Sequence, residues 1–580
     1  MPENKNVFAD LIPYAARKFV PADASLTDKE TLLGMYQVLL DRPVKSSDEL
    51  ERWLLDLSEL DAAVSQAAGI LYVSMTCQTD DPVRAGQYQD FIEKVEPALK
   101  PLHDALNRKY LKLRETIAMD AGRYLVHDRA VRAAVEMFVE KNIPLQTELA
   151  LLSQEYQALC GAMTVEFDGK EHTLPEMSRY MEDPDRDLRE RAWRATAQRR
   201  LKDKDRIEQL FQKMFDLRHQ VAVNAGFANF RDYQFKSYLR FDYTPEDCRK
   251  FHSAVRDVVV PLRAVIDAQR RDSMHLDKLK PWDVSVDPLG RPALQPFKQV
   301  DELVDGVGRI MRSLDSELGA IFDSMRASGL LDLSSRKGKA PGGYQNTFDE
   351  ARQPFIFMNA VGMDDDVHTL LHEAGHAFHA SLSAAEPLVF YRHAPMEFCE
   401  VASMSMELMA SDRLEVFYNA KDAGRSATEF FEGAISVLGW VATIDAFQHW
   451  MYENPKHSAA ERRSAWLKFA KEFSGGVVDW SGLEEEEACL WHRQLHIFEV
   501  PFYYIEYGIA QLGALQIWQR FRRDPQIALG AYKQALTLGG ARPLPELFTA
   551  AGIRFDFSRE IMASLMDDVC REWKRLRAAQ

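Results

Sequence analysis

Apolar side chains return every three to four residues along most of the chain, which is the spacing of one face of an α-helix. Strand-like alternation is rare, and no fixed-period repeat or low-complexity tract interrupts the pattern. The sequence therefore predicts a mainly α fold, built as one large helical body. The predicted helical segments cover residues 48–68, 85–115, 129–161, 186–225, 245–270, 298–328, 366–383, 396–415, 424–453, 459–473, 502–523, 525–537 and 558–577.

Three short segments, 163–168, 282–286 and 355–358, have the composition of strands. The last of them lies in the apolar run 354–359 and predicts a small sheet. Such a strand is either a buried structural element or a strand to which a peptide adds by main-chain pairing. The loop 280–296 contains Pro and Gly, which indicates a hinge or the edge of a cleft.

Composition limits the possible classes of protein. The chain has 580 residues, 46% of them hydrophobic, so it can bury a sizeable core. Its formal net charge of −16 argues against nucleic acid as a partner. Six cysteines without paired spacing are typical of free thiols, and we expect a cytoplasmic protein. We expect no membrane partner, because no run of 18 apolar residues occurs and residues 1–8 carry no apolar signal core.

The most specific motif is His-Glu-Ala-Gly-His at 372–376. Residues four apart share one helical face, so His372 and His376 can direct two imidazole nitrogens at one zinc ion. Glu373 follows the first histidine and is placed to act as a general base. The alternative is an ordinary helix with two surface histidines. Gly375 is unfavourable in mid-helix, which indicates that some other group approaches its backbone closely.

Spacing excludes two common patterns for the third zinc ligand. One pattern needs Gly and His where this chain has His379 and Leu382. The other needs Glu about 19 or 20 residues beyond the second histidine, where this chain has Pro395 and Met396. His379 shares the helical face of the ligand pair and is more typical of a residue that lines the cleft or supports a ligand.

The next acids downstream are Glu397, Glu400 and Glu407, within a predicted helix. Glu400 and Glu407 are seven apart and share a face, while Glu397 points about 60° away. Carboxylates among apolar neighbours are costly to bury without a partner, which favours a metal or histidine partner. The residues alone leave all three acids open as ligands, or as ordinary surface glutamates.

Together, residues 372–376 and Glu400 within 398–403 resemble the thimet oligopeptidase and oligoendopeptidase F family of zinc peptidases. The resemblance spans about residues 200 to 575. It implies one Zn²⁺ per chain, held by His372, His376 and Glu400, with Glu373 as the general base. It also implies that Glu407 supports a ligand.

A tyrosine-rich segment at 492–508 follows. Pro501 suits the first turn of a helix, beyond which Tyr504 and Tyr507 share a face. The resemblance implies that His496, Tyr504 and Tyr507 stabilise an oxyanion, which amide hydrolysis requires. Aromatic core packing is the alternative for each.

The resemblance also covers a Gly-rich segment and the predicted strand. The exposed Gly-rich segment reads as a mobile loop, and the strand lies just upstream of the histidine helix. Both are expected to hold the peptide substrate. The residues predicted to bind substrate are Gly342, Gly343, Tyr344, Phe357, Asn359 and Tyr503.

A charged stretch near 180–200 precedes the part that resembles the family. We predict an N-terminal helical region at 1–195 and a catalytic region at 196–580, which the resemblance places across a deep channel. The predicted function is zinc-dependent endopeptidase cleavage of short oligopeptides. Two alternatives stay open, a zinc dipeptidyl carboxypeptidase and a non-catalytic peptide-binding protein. Nothing in the sequence specifies an oligomeric state.

Overall fold

Helices dominate the computed structural model, which describes Phe8 and residues 11–579. The first half contains α1 Lys29–Asp41, α2 Ser47–Cys77, α3 Pro82–Asp90, α4 Glu96–Arg114, α5 Ala121–Met137, α6 Ile143–Gly161, α7 Leu174–Met177, α8 Arg186–Leu201, α9 Lys204–Asn224, α10 Phe230–Ser237, α11 Pro245–Ala254 and α12 Val260–Ser273. The second half contains α13 Val300–Leu314, α14 Ser316–Ala327, α15 Asp364–Leu382, α16 Val389–Arg392, α17 Met396–Ala410, α18 Ala420–Glu453, α19 Ala459–Phe473, α20 Glu484–Ala488, α21 Leu495–Glu499, α22 Ile505–Arg523, α23 Pro525–Thr537, α24 Leu544–Ala550 and α25 Arg559–Ala578. The predicted mainly α class is confirmed. The expectation for a signal segment concerns residues 1–8, of which only Phe8 lies in the described part.

Two small sheets accompany the helices. An antiparallel hairpin pairs β1 (Thr164–Phe167) with β2 (Lys170–Thr173). The second sheet contains β3 (Leu331–Ser334), β4 (Tyr344–Phe348) and β5 (Gln353–Ala360) in the order β3–β5–β4. The predicted strands at 163–168 and 355–358 are confirmed.

The position of β5 corrects one prediction about the substrate. β5 is the middle strand: β3 pairs with it in parallel on one side and β4 antiparallel on the other. The main-chain hydrogen-bonding groups of β5 are therefore already paired on both sides, so an added peptide strand cannot pair with it. β3 and β4 are the edge strands of this sheet, and β4 is the one that begins beside Glu373, so main-chain pairing with a peptide is available there instead.

The predicted strand at 282–286 is wrong. Trp282 belongs to a 3-10 turn, Pro281–Asp283. The side chain of Asp283 is fully buried and forms ion pairs with Arg186 at 2.8 Å and Arg189 at 3.0 Å. A buried carboxylate needs such partners, and the turn brings it to them.

The helix predicted from Pro501 begins later than expected. Residues before α22 form a turn in which Phe502 has a φ of 68°, a left-handed conformation that is uncommon outside glycine. Its N–H donates to Oε1 of Gln448 at 2.8 Å, and its carbonyl accepts from Nη2 of Arg240 at 2.6 Å. These long-range partners fix the turn.

One large core joins both halves of the chain. It includes Leu152 of α6, Leu210 of α9, Phe378 of α15, Val401 of α17 and Leu512 of α22. A second core, around Trp53 of α2 and Tyr110 of α4, also takes up Leu388 and Tyr391. The division at residue 195 and the channel between the two regions stay predictions.

Helix α2, in the N-terminal part of the chain, packs against the second sheet. A Cβ built on Gly69 would lie 3.2 Å from Nδ2 of Asn346 in β4. The hydroxyls of Thr76 and Tyr344 are 2.5 Å apart. The strand that borders the histidine helix is therefore held in place by the N-terminal helices.

Among the described residues, α18 alone is long and apolar enough to cross a membrane by length and composition. Of its most apolar stretch, 67% is buried inside the protein. Core helices of this length commonly meet the same criterion, so α18 is weak evidence for a membrane span.

Candidate active site

The site begins with the close approach of two helices. A Cβ on Gly375 of α15 would lie 2.5 Å from Cα of Ser403 and 2.8 Å from the carbonyl oxygen of Ala402, both in α17. No larger residue fits this contact without movement of the backbone. The expectation that some other group approaches Gly375 closely is confirmed, and the group is the backbone of α17. The contact brings the histidine face of α15 onto α17.

Three potential metal ligands converge where the helices meet. Nε2 of His372 is 3.2 Å from Oε2 of Glu400, and Nε2 of His376 is 3.5 Å from the same oxygen. Their donor atoms all lie within 4.8 Å of one another. Two imidazoles and a carboxylate are a set that a catalytic zinc ion takes, with a position left for water. The residues present therefore fit the implied metal.

The other two candidate acids, Glu397 and Glu407, do not join the three converging ligand atoms. Glu397 accepts a hydrogen bond from the Tyr243 hydroxyl at 2.6 Å, in a buried cluster with Arg240. Oε1 of Glu407 accepts from Nδ1 of His372 at 2.7 Å. That bond fixes the His372 proton on Nδ1 and leaves Nε2 free as a ligand.

Both oxygens of Glu400 are oriented by neighbours. The Tyr503 hydroxyl donates to Oε1 at 2.6 Å. The Ser403 hydroxyl donates to Oε2 at 3.1 Å. Oε2 also faces the two histidines, so the geometry favours a metal contact through that oxygen. Tyr503 was predicted to bind substrate, but the structure directs its hydroxyl to the candidate ligand.

Glu373 lies beside the three ligands and is buried. Its Oε2 has no hydrogen-bond partner among the described residues. Burial raises the pKa of Glu373, while His372 and His376 oppose the rise. A Cβ on Gly343 would lie 3.4 Å from the other carboxylate oxygen, so the start of β4 borders this group.

A chain of hydrogen bonds sets the orientation of His496. Nε1 of Trp440 donates to Oε1 of Gln494 at 3.0 Å, so the amide nitrogen of Gln494 faces Nδ1 of His496 at 2.8 Å. Nδ1 then accepts, and the ring proton lies on Nε2, which is 3.1 Å from the hydroxyl of Tyr507. Because that hydroxyl already accepts from His496, its own proton is free to be donated elsewhere.

The protonation states support this direction of donation. Burial lowers the pKa of His496 to about 4, so the ring is neutral near pH 7. Burial, Glu400 and Tyr504 raise the pKa of Tyr507 well above its usual value. Burial also raises the pKa of Tyr504 to about 12. Both phenols therefore keep their protons near pH 7.

The rings of the tyrosine segment gather around His496. Tyr504 lies 5.0 Å from His496 and 5.2 Å from Tyr507 between ring centroids, and Tyr503 lies 5.5 Å from Tyr507. The structure thus brings His496, Tyr504 and Tyr507 together, and the role on an oxyanion that the resemblance implies for them stays a prediction.

The predicted substrate segment has mostly structural contacts. Nδ2 of Asn359 donates to the carbonyls of Ala340 and Gly342 at 2.9 Å each, which fixes the glycine loop. Phe357 is fully buried and stacks on Tyr344 at 4.7 Å, so its side chain offers a substrate no surface. Burial of Phe357 contradicts its predicted contact with substrate.

His379 is separate from the ligand set. It is 4% exposed, packs on Phe398 at 5.9 Å between centroids, and neither ring nitrogen has a hydrogen-bond partner in the described structure. No hydrogen bond links it to His372, His376 or Glu400. Burial lowers its pKa to about 3. The predicted support of a zinc ligand by His379 would need a hydrogen bond from its ring to that ligand, and the described structure shows none.

Sequence reasoning missed Gln494 and the role of Tyr503. Gln494 contacts Trp440, which lies on the distant helix α18, so no local spacing in the sequence could indicate this contact. Tyr503 precedes α22 in an irregular turn, where helical periodicity does not apply.

Residues 179–567 match the sequence model of peptidase family M3. The chain belongs to peptidase family M3. This M3 assignment confirms the resemblance and the predicted enzyme class, a metalloendopeptidase.

Other M3-like proteins cover most of the chain. The oligoendopeptidase F homolog of Borreliella burgdorferi is 23% identical over 444 residues, which is 72% of each protein. The structure of PZ peptidase A with an inhibitor has a TM-score of 0.89 at 27% identity and covers 97% of this chain and 99% of that one. A crystal structure of a candidate oligoendopeptidase F has a TM-score of 0.90 at 28% identity and covers 96% and 99%.

Proposed function

We propose that this M3 peptidase is a zinc-dependent endopeptidase that hydrolyses internal bonds of short oligopeptides. One observation carries the proposal: the ligand atoms of His372, His376 and Glu400 converge beside Glu373, whose buried Oε2 has no partner. An unsatisfied buried carboxylate is costly and is typical of a group that acts on a substrate or water.

The three ligands would hold one zinc ion. Bound there, zinc would polarise a water and the scissile carbonyl. Glu407 would keep His372 in the ligating tautomer, and Tyr503 with Ser403 would keep Oε2 of Glu400 turned towards the histidines.

Glu373 would carry the proton. It would accept a proton from the attacking water and later return it to the departing amine. Its raised pKa brings it closer to the working range of a general base near pH 7. Gly343 lies beside its carboxylate, since a Cβ built there would be in van der Waals contact with Oε1 at 3.4 Å.

Tyr507 would stabilise the negative charge that develops on the carbonyl oxygen. Its hydroxyl accepts from Nε2 of His496, so its proton can point towards the substrate. Tyr504 lies against both rings and would assist.

The substrate would lie along β4. This strand pairs with β5 on one side only, and it begins next to Glu373. A peptide added to its edge would run past the base in an extended form, which suits cleavage within a chain. Gly342, Gly343 and Tyr344 would contribute through their main chain.

Peptides with blocked and free ends separate the candidate functions. We expect the zinc-loaded enzyme to cut a peptide of about ten residues at the same internal bond, whether both ends are blocked or free. A dipeptidyl carboxypeptidase would cut only the free C-terminus, and a binding protein would cut neither. Mass spectrometry of the products decides, with chelated enzyme and chelated enzyme resupplied with zinc as controls.

A further inference from the structure

A second cluster of metal-ligand side chains lies apart from the active site. Cys248 and His252 are four apart on α11, and Asp445 and His449 are four apart on α18. Each pair therefore occupies one helical face. The ligand atoms of Cys248, Asp445 and His449 all lie within 4.8 Å of one another. Nε2 of His252 is 2.8 Å from Oδ2 of Asp445.

The cluster is more deeply buried than the active-site ligands. Asp445 is 0% exposed, Cys248 1%, His449 3% and His252 8%. A carboxylate in such a place needs full compensation of its charge. The His252 contact satisfies one carboxylate oxygen, but Oδ1 of Asp445 and both ring nitrogens of His449 have no hydrogen-bond partner among the described residues.

One pair of donor atoms in the cluster has the separation expected in a tetrahedral metal site. Bond lengths of about 2.0–2.3 Å place neighbouring ligand atoms about 3.3–3.7 Å apart. Nε2 of His449 is 3.3 Å from Oδ2 of Asp445. The active-site pairs of Glu400 with His372 and His376, at 3.2 and 3.5 Å, have the same separation.

We propose that Cys248, Asp445 and His449 bind a second zinc ion, with His252 orienting the Asp445 carboxylate. A thiolate, an imidazole and a carboxylate are ligands that zinc takes, and a histidine bonded to a ligating carboxylate is the kind of outer contact that orients such a ligand. Binding replaces the proton of the Cys248 thiol, which leaves to solvent, so the two anionic ligands neutralise the Zn²⁺ charge. This inference does not depend on the proposed function.

A zinc ion there would join α11 to α18 behind the active site. The ring of His449 packs on Phe502 at 5.3 Å between centroids, and the neighbouring Gln448 accepts from the Phe502 N–H. The Phe502 turn leads into Tyr503 and Tyr504. The metal would therefore brace the segment that presents these tyrosines.

A hydrogen-bonded pair of His252 and Asp445 without metal is the competing arrangement. It accounts for their 2.8 Å contact. In that arrangement Nε2 of His449 also faces Oδ2 of Asp445, at 3.3 Å, while Oδ1 of Asp445 keeps no partner among the described residues and Cys248 is a buried thiol. The two arrangements differ in metal content and in the spectrum of a bound cobalt ion.

The test uses the full chain with the active-site ligands removed. In His372→Ala/His376→Ala, saturation with zinc followed by desalting should leave about one ion per chain, against about two in wild type. Cobalt in the same variant should give a thiolate-to-cobalt absorption band. The further change Cys248→Ser should abolish the band, while Cys77→Ser, a matched buried cysteine away from the cluster, should retain it.

The measurement on the parent variant decides the matter even if Cys248→Ser fails to fold. A folded His372→Ala/His376→Ala protein that retains no zinc and shows no thiolate band with cobalt would overturn the proposal. A band that persists in folded Cys248→Ser would do the same, because its sulfur would come from elsewhere.

Discussion

The two oxygens of Glu400 have different neighbours, and this difference assigns a role to Tyr503. Oε2 faces His372 and His376, while Oε1 accepts from the Tyr503 hydroxyl. A hydroxyl that orients a ligand acts on metal affinity. A hydroxyl that binds substrate acts on KM.

We expect Tyr503→Phe to weaken zinc binding about 10- to 100-fold, because loss of its hydrogen bond frees the Glu400 carboxylate to rotate. Competition with a fluorescent zinc chelator measures the affinity. Tyr110→Phe removes a comparable 2.6 Å bond to Asp128, far from the site, and should leave zinc affinity unchanged. Wild-type zinc affinity with a raised KM in Tyr503→Phe would return this residue to the predicted role in substrate binding.

We expect Gln494 to affect kcat, although its side chain contacts neither a candidate metal ligand nor Glu373. Gln494→Leu leaves Nδ1 of His496 without its donor, so the ring can take the other tautomer and accept the Tyr507 proton. We expect kcat to fall at least about 10-fold, less than the about 100- to 1000-fold typical of losing an oxyanion donor such as Tyr507. Steady-state kinetics at equal zinc content give kcat and KM. A change confined to KM would argue against this positioning role.

Much of the site at this scale could be predicted from sequence. His372, Glu373 and His376 follow from local helical spacing. Glu400 was one of three open acids until the resemblance placed the third ligand. Partners that meet only through tertiary packing, such as Gln494 with Trp440, leave no local signal.

At the scale of elements, the contact between α15 and α17 depends on the absence of a side chain at Gly375. Helical propensity alone disfavours glycine there. The contact with Ser403 and Ala402 explains why it is present.

We expect Gly375→Ala to destabilise the protein by about 1–3 kcal/mol, because its Cβ would press on the α17 backbone. Gly433→Ala is the matched control, since Gly433 lies in α18 with no atom within 4 Å of a Cβ built there. That change should stabilise by about 0.5–1 kcal/mol. Thermal unfolding measures the Tm of both variants, which should fall for Gly375→Ala and rise for Gly433→Ala. A higher Tm for Gly375→Ala would show that the two helices are not in close contact.

Elements were predicted well where periodicity was long and poorly where tertiary partners decide the conformation. The helices carrying the ligands follow from their apolar faces. The turn at Pro281–Asp283 depends on two arginine partners from α8, and the Phe502 turn depends on Gln448 and Arg240. The central place of β5 depends on its neighbours β3 and β4, which no single segment specifies.

At the scale of the whole molecule, the N-terminal helices belong to the same packing as the catalytic part. Leu152 and Leu210 share the main core across residue 195, and α2 covers β4. The division at residue 195, placed where charged residues are dense, stays a prediction that a fragment can test.

A chain of residues 196–580 alone should therefore fail to fold cooperatively, because it would expose the core side of α9 and the outer face of β4. Circular dichroism during thermal unfolding, compared with the full chain under the same conditions, measures this. A sharp transition of the fragment near that of the full chain would instead support an autonomous catalytic region.

The most direct test of the account is Glu373→Gln on an internally quenched peptide blocked at both ends. The substitution keeps the shape of the side chain and removes its ability to accept the proton. We predict that the variant binds as much zinc as wild type while kcat/KM falls about 100-fold or more. Undiminished cleavage by zinc-loaded Glu373→Gln would contradict the proposed mechanism.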